Sequence, residues 1–206
     1  MNELGHLSLW LALAVAGLGV ALPTLGAWRE DIALELSARR LSVLLFALLA
    51  VSFICLMTAY IRSDFSLLNV VSNSHSAKPM LYKIAGTWGN HEGSLLLWVL
   101  ILAGFGAAVA VFDGPGKRSK GMDRRLWSRT LVVQSLIGCS FLLFILLTSN
   151  PFTRVLPAPL DGQGLNPLLQ DPGLAFHPPL LYVGYVGLST AFSFAIAALI
   201  LSLIHI

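Results

Sequence analysis

The sequence predicts an all-α integral membrane protein of about five transmembrane helices with two long loops on its outer side. Three observations predict it. Hydrophobic residues make up 56% of the 206 residues and charged residues 11%, far from the balance of a soluble domain. The charges cluster, leaving five nearly uncharged runs of about 20 residues, the length that crosses a hydrocarbon core as a helix. Finally, the segments between the runs alternate between strongly and weakly basic, as they must if successive spans cross in opposite directions.

The first span covers about 4–27 and contains His6. No Lys or Arg precedes it, and Glu3 stands where a cleaved leader carries basic residues, so a retained span is expected. A connection with Arg29, Arg39 and Arg40 leads to the second span, 41–61. The loop from Arg62 to Glu92 mixes apolar residues with Ser and Asn, which suits a short interfacial helix with Tyr82 and Trp88 at headgroup level. The third span is 93–112, followed by "DGPGKRSKGMDRR", whose glycines and proline end a helix and make a turn. The fourth span is 128–149. The loop after it has seven prolines from Pro151 to Pro179, each fixing φ and removing a donor, so a stiff irregular lid is expected before the fifth span at 178–203. No internal repeat or domain boundary interrupts the chain, and residues 1–206 read as a single transmembrane module.

Nine basic residues fall in the two short connections and four in the two long loops, which predicts a cytoplasmic side for the former and an outside N-terminus. The net charge of +3 is then the positive-inside signal, and nucleic-acid binding is not required to explain it. Cys55 and Cys139 lie inside spans and in no metal-ligand spacing, so they read as small apolar residues and no metal site is expected from them. The span centres carry essentially no ionisable residue, which argues against a proton pump or ion-coupled transporter.

Histidine is distributed unevenly. His6, His75, His91 and His177 fall toward the outer side and only His205 toward the inner. Neutral imidazole ligates haem iron, which makes an outer histidine beside aromatic residues a candidate axial ligand. In "FHPPLLY", Pro178 pushes His177 toward an extended conformation, and Pro178 with Pro179 opens the fifth span, fixing the imidazole at the membrane boundary. The plain alternative is a loop histidine held by hydrogen bonds. In "WGNHEGSLLLW", His91 and Glu92 lack the second histidine of a zinc-protease helix, since Leu95 stands there. Gly93 and Ser94 start the third span, and Glu92 suits its positive end; a His91–Glu92 proton-transfer dyad is the other reading, leaving the catalytic residues unknown.

These strings, together with "ELGHLSLWLALAVA" and "LNPLLQDPGLAFHPPLLYVGYVG", resemble the N-terminal part of the CcmF family, the haem lyase subunits of bacterial cytochrome c maturation, and their NrfE-type paralogues. The resemblance implies a multi-pass protein of the bacterial inner membrane with a periplasmic N-terminus. It implies haem b, bound transiently as substrate and held at the periplasmic face for covalent attachment to apocytochrome c. The implied partners are a haem carrier protein, other cytochrome c maturation subunits, apocytochrome c and membrane lipid. His177 matches the first periplasmic haem-ligating histidine of the family; His91 is a weaker candidate, with Trp88, Glu92, Pro178 and Pro179 in support. The tryptophan-rich segment and further histidines of the family lie downstream of Ile206, so the resemblance implies a truncated chain that is not an active lyase by itself. A cofactor-free scaffold and a polytopic transport subunit are the alternatives.

Overall fold

The computed structural model describes residues 1–115, 123–164, 166 and 170–203; Lys117, Arg118, Lys120, Pro167 and His205 lie outside them. The helices are α1 (Asn2–Arg29), α2 (Ile32–Ile61), α3 (Leu68–Asn73), α4 (Met80–Gly86), α5 (His91–Phe112), α6 (Arg124–Thr148) and α7 (Pro172–Ile200). Of these, α1, α2, α5, α6 and α7 are long and apolar enough to cross a membrane. Among the described residues there is no strand, only an isolated bridge between Leu67 and Arg154.

The helices are longer than the spans the sequence outlines. Helix α2 begins at Ile32, not near residue 41, because Asp31 caps it: Oδ1 accepts from the Ala33 amide at 2.8 Å and from the Leu34 amide at 3.3 Å. Its 30 residues make a rod of about 45 Å, against a core of about 30 Å, so the turns bearing Arg39 and Arg40 continue beyond the apolar run. The α1–α2 connection is therefore only Glu30 and Asp31, with Glu30 in the left-handed region at φ 58°. Gly26 permits this turn, since a Cβ there would lie 2.7 Å from the Glu35 amide nitrogen.

The start of α7 corrects the sequence reading. Residues 172–177 are helical, and His177 is not extended. The reason is a cap at "DPG": Pro172 opens the helix, the Gly173 amide donates to Asp171 Oδ1 at 2.8 Å, and the Ala175 amide donates to the Asp171 carbonyl at 3.0 Å. With nucleation settled six residues upstream, Pro178 and Pro179 sit inside the helix. Their missing amides leave carbonyls one turn back without helical partners.

Apolar burial unites the bundle. One cluster includes Leu9, Leu49, Leu56, Leu96, Leu102, Leu142 and Ile145, all at most 2% exposed and drawn from α1, α2, α5 and α6. The α5–α6 contact includes the stacked rings of Trp98 and Phe141, with centroids 4.0 Å apart. At the other end of the same pair, fully buried Trp127 donates from Nε1 to the Val109 carbonyl at 3.1 Å. Gln134 Nε2 reaches Thr190 Oγ1 on α7 at 3.2 Å, a polar link of the kind that fastens helices where lipid supplies no drive between them.

At the end of the bundle where α1 begins, the segments 62–90 and 149–164 lie against each other. The Leu68 amide donates to the Thr153 carbonyl at 2.9 Å and the Val155 amide to the Ser66 carbonyl at 3.0 Å. Arg154 pairs with Glu3, and Asn2 Nδ2 donates to Asp64 Oδ2 at 2.7 Å. Farther along, Ser76 donates to Asp161 through its amide at 2.9 Å and through its hydroxyl, while the Gln163 amide reaches the Val71 carbonyl at 2.7 Å. Residues 150–164 are thus irregular but tied down at both ends.

Candidate functional site

The loop end gathers the residues that the sequence singles out, beginning with the turn before α5. Asn90 is its N-cap, accepting from the Gly93 amide at 2.8 Å through Oδ1. Gly93 has no alternative, because a Cβ there would sit 1.7 Å from the Thr87 carbonyl oxygen. The same Asn90 donates from Nδ2 to the Gly86 carbonyl at 2.7 Å and to the Tyr60 hydroxyl at 3.0 Å. Tyr60, fully buried, donates to Asn69 Oδ1 at 2.5 Å, and Asn69 Nδ2 donates onward to Asn90 Oδ1 at 2.8 Å and Glu92 Oε2 at 3.0 Å. A closed Tyr60–Asn69–Asn90 network thus holds the entrance of α5, and Glu92 completes it. Asn90, Asn69 and Tyr60 are absent from the sequence reading. Of the three only Asn90 carried a sequence signal, as an Asn two residues before a glutamate in a first helical turn.

His91 and Glu92 use different partners. Glu92 accepts from Asn69, whereas His91 Nε2 lies 3.1 Å from Ser149 Oγ at the end of α6. Trp88, two residues before the cap, turns toward α7. Its ring stacks on Phe53 at 6.4 Å between centroids, and its Nε1–H donates to the Ala175 carbonyl at 2.9 Å. That carbonyl is the one Pro179 leaves without a helical donor. The "WGNHEG" and "FHPP" motifs therefore meet through Trp88, and the first turns of α7 are fixed two residues before His177.

The histidines differ in what they have left to offer. His6 Nε2 accepts from Trp10 Nε1 at 3.1 Å and Asn150 Nδ2 at 3.0 Å, which places its proton on Nδ1. His75 accepts the Ala77 amide on Nδ1 at 3.1 Å and faces Asp161 Oδ2 from Nε2 at 3.4 Å. His91 is held by Ser149. His177 is exposed on α7, and among the described residues its ring has no partner.

The cytochrome c assembly protein family matches residues 88–204, more than half of the chain and including both motifs. The chain belongs to this family. Among relatives of the cytochrome c assembly family, it is similar to the cytochrome c-type biogenesis protein ccl1 of Rhodobacter capsulatus, 55% identical over 96% of this chain and 29% of that protein. It is also similar to the cytochrome c-type biogenesis protein CcmF of Escherichia coli, 48% identical over 97% of this chain and 30% of the relative. A solved structure titled cytochrome c heme lyase CcmF superposes with a TM-score of 0.81 at 28% identity, covering 96% of this chain and 30% of the other. The chain thus spans under one third of the length of these cytochrome c assembly proteins.

Proposed function

We propose that this chain is the N-terminal membrane module of a haem lyase in cytochrome c maturation, and that its loop end holds haem b for covalent attachment to apocytochrome c. The observation carrying this reading is the contrast among the histidines. His6, His75 and His91 spend ring nitrogens on neighbouring residues, whereas the imidazole of His177, on a helix fixed by Trp88, has no partner among the described residues. A neutral imidazole with a free nitrogen is the donor that haem iron takes. His177 fits the role of a single axial ligand to haem as substrate, with Pro178 and Pro179 behind it and Trp88, Glu92 and the Asn90 cap stabilising its surroundings. His91, tied to Ser149, is the weaker ligand.

In this reading the loop end is periplasmic and the arginine-bearing end faces the cytoplasm across a bacterial inner membrane, in keeping with the positive-inside distribution. The haem carrier, other maturation subunits and apocytochrome c approach the loop end. Chemistry at the haem vinyl groups belongs to the complete protein, since the relatives are more than three times as long.

The test is His177→Ala in the full-length gene product. Haem retained on purification and cytochrome c yield should each fall by about tenfold or more, with His91→Ala affecting them less. Unchanged haem occupancy in His177→Ala overturns the assignment.

A further inference from the structure

The loop end carries an apolar element that haem handling does not use. Between Arg154 and Asp161 the chain reads "VLPAPL", without a single polar side chain. Residues 156–160 are all exposed, with Leu156 at 85% and Leu160 at 102% of full exposure. The segment is nonetheless held on both sides. Arg154 pairs with Glu3, and the Val155 amide donates to the Ser66 carbonyl at 3.0 Å. At the far side Asp161 accepts from the Ser76 amide at 2.9 Å and from the Ser76 hydroxyl. Apolar side chains fixed in the open cost free energy unless an apolar phase meets them.

The place of the Arg154 clasp says which phase that is. Glu3 stands in the first turn of α1, and on its face Leu4, Leu7, Trp10 and Leu11 are each at least 45% exposed. Because α1 is long and apolar enough to cross a membrane, this stripe is its lipid-facing side. Arg154 therefore sits where the lipid-facing stripe begins, and Leu156 follows two residues later. Ser66, five residues beyond the end of α2 at Ile61, marks the same level. The surrounding charges select no charged protein surface, since Arg154 is matched by Glu3 and Asp161 lies 3.4 Å from His75. Pro157 and Pro159 lack an amide N–H, so the backbone brings fewer donors out of water.

We propose that residues 156–160 dip into the head-group and upper acyl region of the leaflet on the loop side, with Leu156 and Leu160 as anchors and phospholipid as the partner. The segment continues the lipid-facing surface of α1 past the end of the helix. An apolar tip with a cation at head-group level is the arrangement by which interfacial segments hold a bilayer. The inference uses neither His177 nor Trp88 and stands apart from the haem reading.

The experiment uses the full-length protein, freed of other cysteines and reconstituted into phosphatidylcholine vesicles. Leu156→Cys, Leu160→Cys and, as a water-exposed reference, Gln163→Cys are each labelled with a nitrobenzoxadiazole fluorophore. The labels at 156 and 160 should emit to the blue of the reference, and aqueous iodide should quench them at least about threefold less. Lipid carrying a nitroxide near the head group should quench both labels at least about twofold more than lipid carrying it at the chain end. Iodide access at positions 156 and 160 equal to the reference overturns the proposal. Blue emission that nitroxide lipid leaves untouched also overturns it, because a protein surface then covers the loop.

Discussion

Trp88 Nε1 donates to the carbonyl of Ala175 at 2.9 Å, filling the gap that Pro179 leaves in the hydrogen-bond ladder of α7. Proline normally bends or breaks a helix interior. Here an indole from the turn before α5 replaces the missing amide, and α7 runs on to Ile200. Trp88→Phe keeps the ring on Phe53 but removes the donor, and should cost about 1–2 kcal/mol. Restoring an amide with Pro179→Ala should reduce that cost. A double-mutant cycle on thermal stability, with hydrogen exchange over residues 172–178, measures the coupling; purely additive effects count against it.

The Tyr60–Asn69–Asn90 network makes a second prediction. Tyr60→Phe leaves the Asn69 side chain and Asn90 Nδ2 each short of a partner in a buried setting, and should destabilise by about 1–3 kcal/mol. Asn90→Ala should cost at least as much, because it also removes the cap of α5. Chemical denaturation in detergent reads both.

Gly93→Ala places a methyl carbon 1.7 Å from the Thr87 carbonyl oxygen, and backbone cannot step aside as a flexible side chain can. The expected cost is about 3 kcal/mol or more. Loss of folded protein in the membrane fraction is the readout, and normal accumulation would contradict the close approach.

Acid should loosen the strap between the two long segments. Hydrogen bonds from the Ser76 hydroxyl and amide hold the Asp161 carboxyl down at about 2. Burial pushes the Asp64 carboxyl up, but hydrogen bonds from Ser66 and Asn2, aided by Arg154, outweigh it and leave it below the usual value. Folded values below unfolded ones mean stability that is complete above about pH 4 and lost as pH falls toward 2. Limited proteolysis between residues 150 and 164 should accelerate over that window, and Asp161→Asn should flatten the dependence.

Burial also lowers the Lys78 ammonium to about 8, where its Nζ has the Asn73 carbonyl at 3.1 Å. The unfolded chain binds this proton up to about pH 10, so stability should rise between pH 8 and 10. Lys78→Met should abolish the rise. A thermal midpoint that climbs equally in both proteins excludes Lys78 as its source.

The long helices were legible because a membrane imposes one signal, an apolar run of fixed length. Their true ends were not, because polar turns such as Ile32–Arg40 continue a helix into water without changing its hydropathy in the core. Asp171–Pro172 was a readable start for α7, but it was overshadowed by the local restriction that Pro178 places on His177. Once the helix nucleates upstream and Trp88 supplies a donor, that restriction is overcome. The Tyr60–Asn69–Asn90 network is of another kind. Its members lie up to 30 residues apart and their types are common in any loop, so only the fold brings them together.

The ion pair between Glu3 and Arg154 joins positions 151 residues apart. During synthesis α1 enters the bilayer long before Arg154 leaves the ribosome. Its leading end must therefore wait, unclasped, through the insertion of α2, α5 and α6. The clasp consequently closes only once four of the five long helices have been made, and until then Glu3 stands as an open carboxylate at the loop end while Asn2 is already held by Asp64.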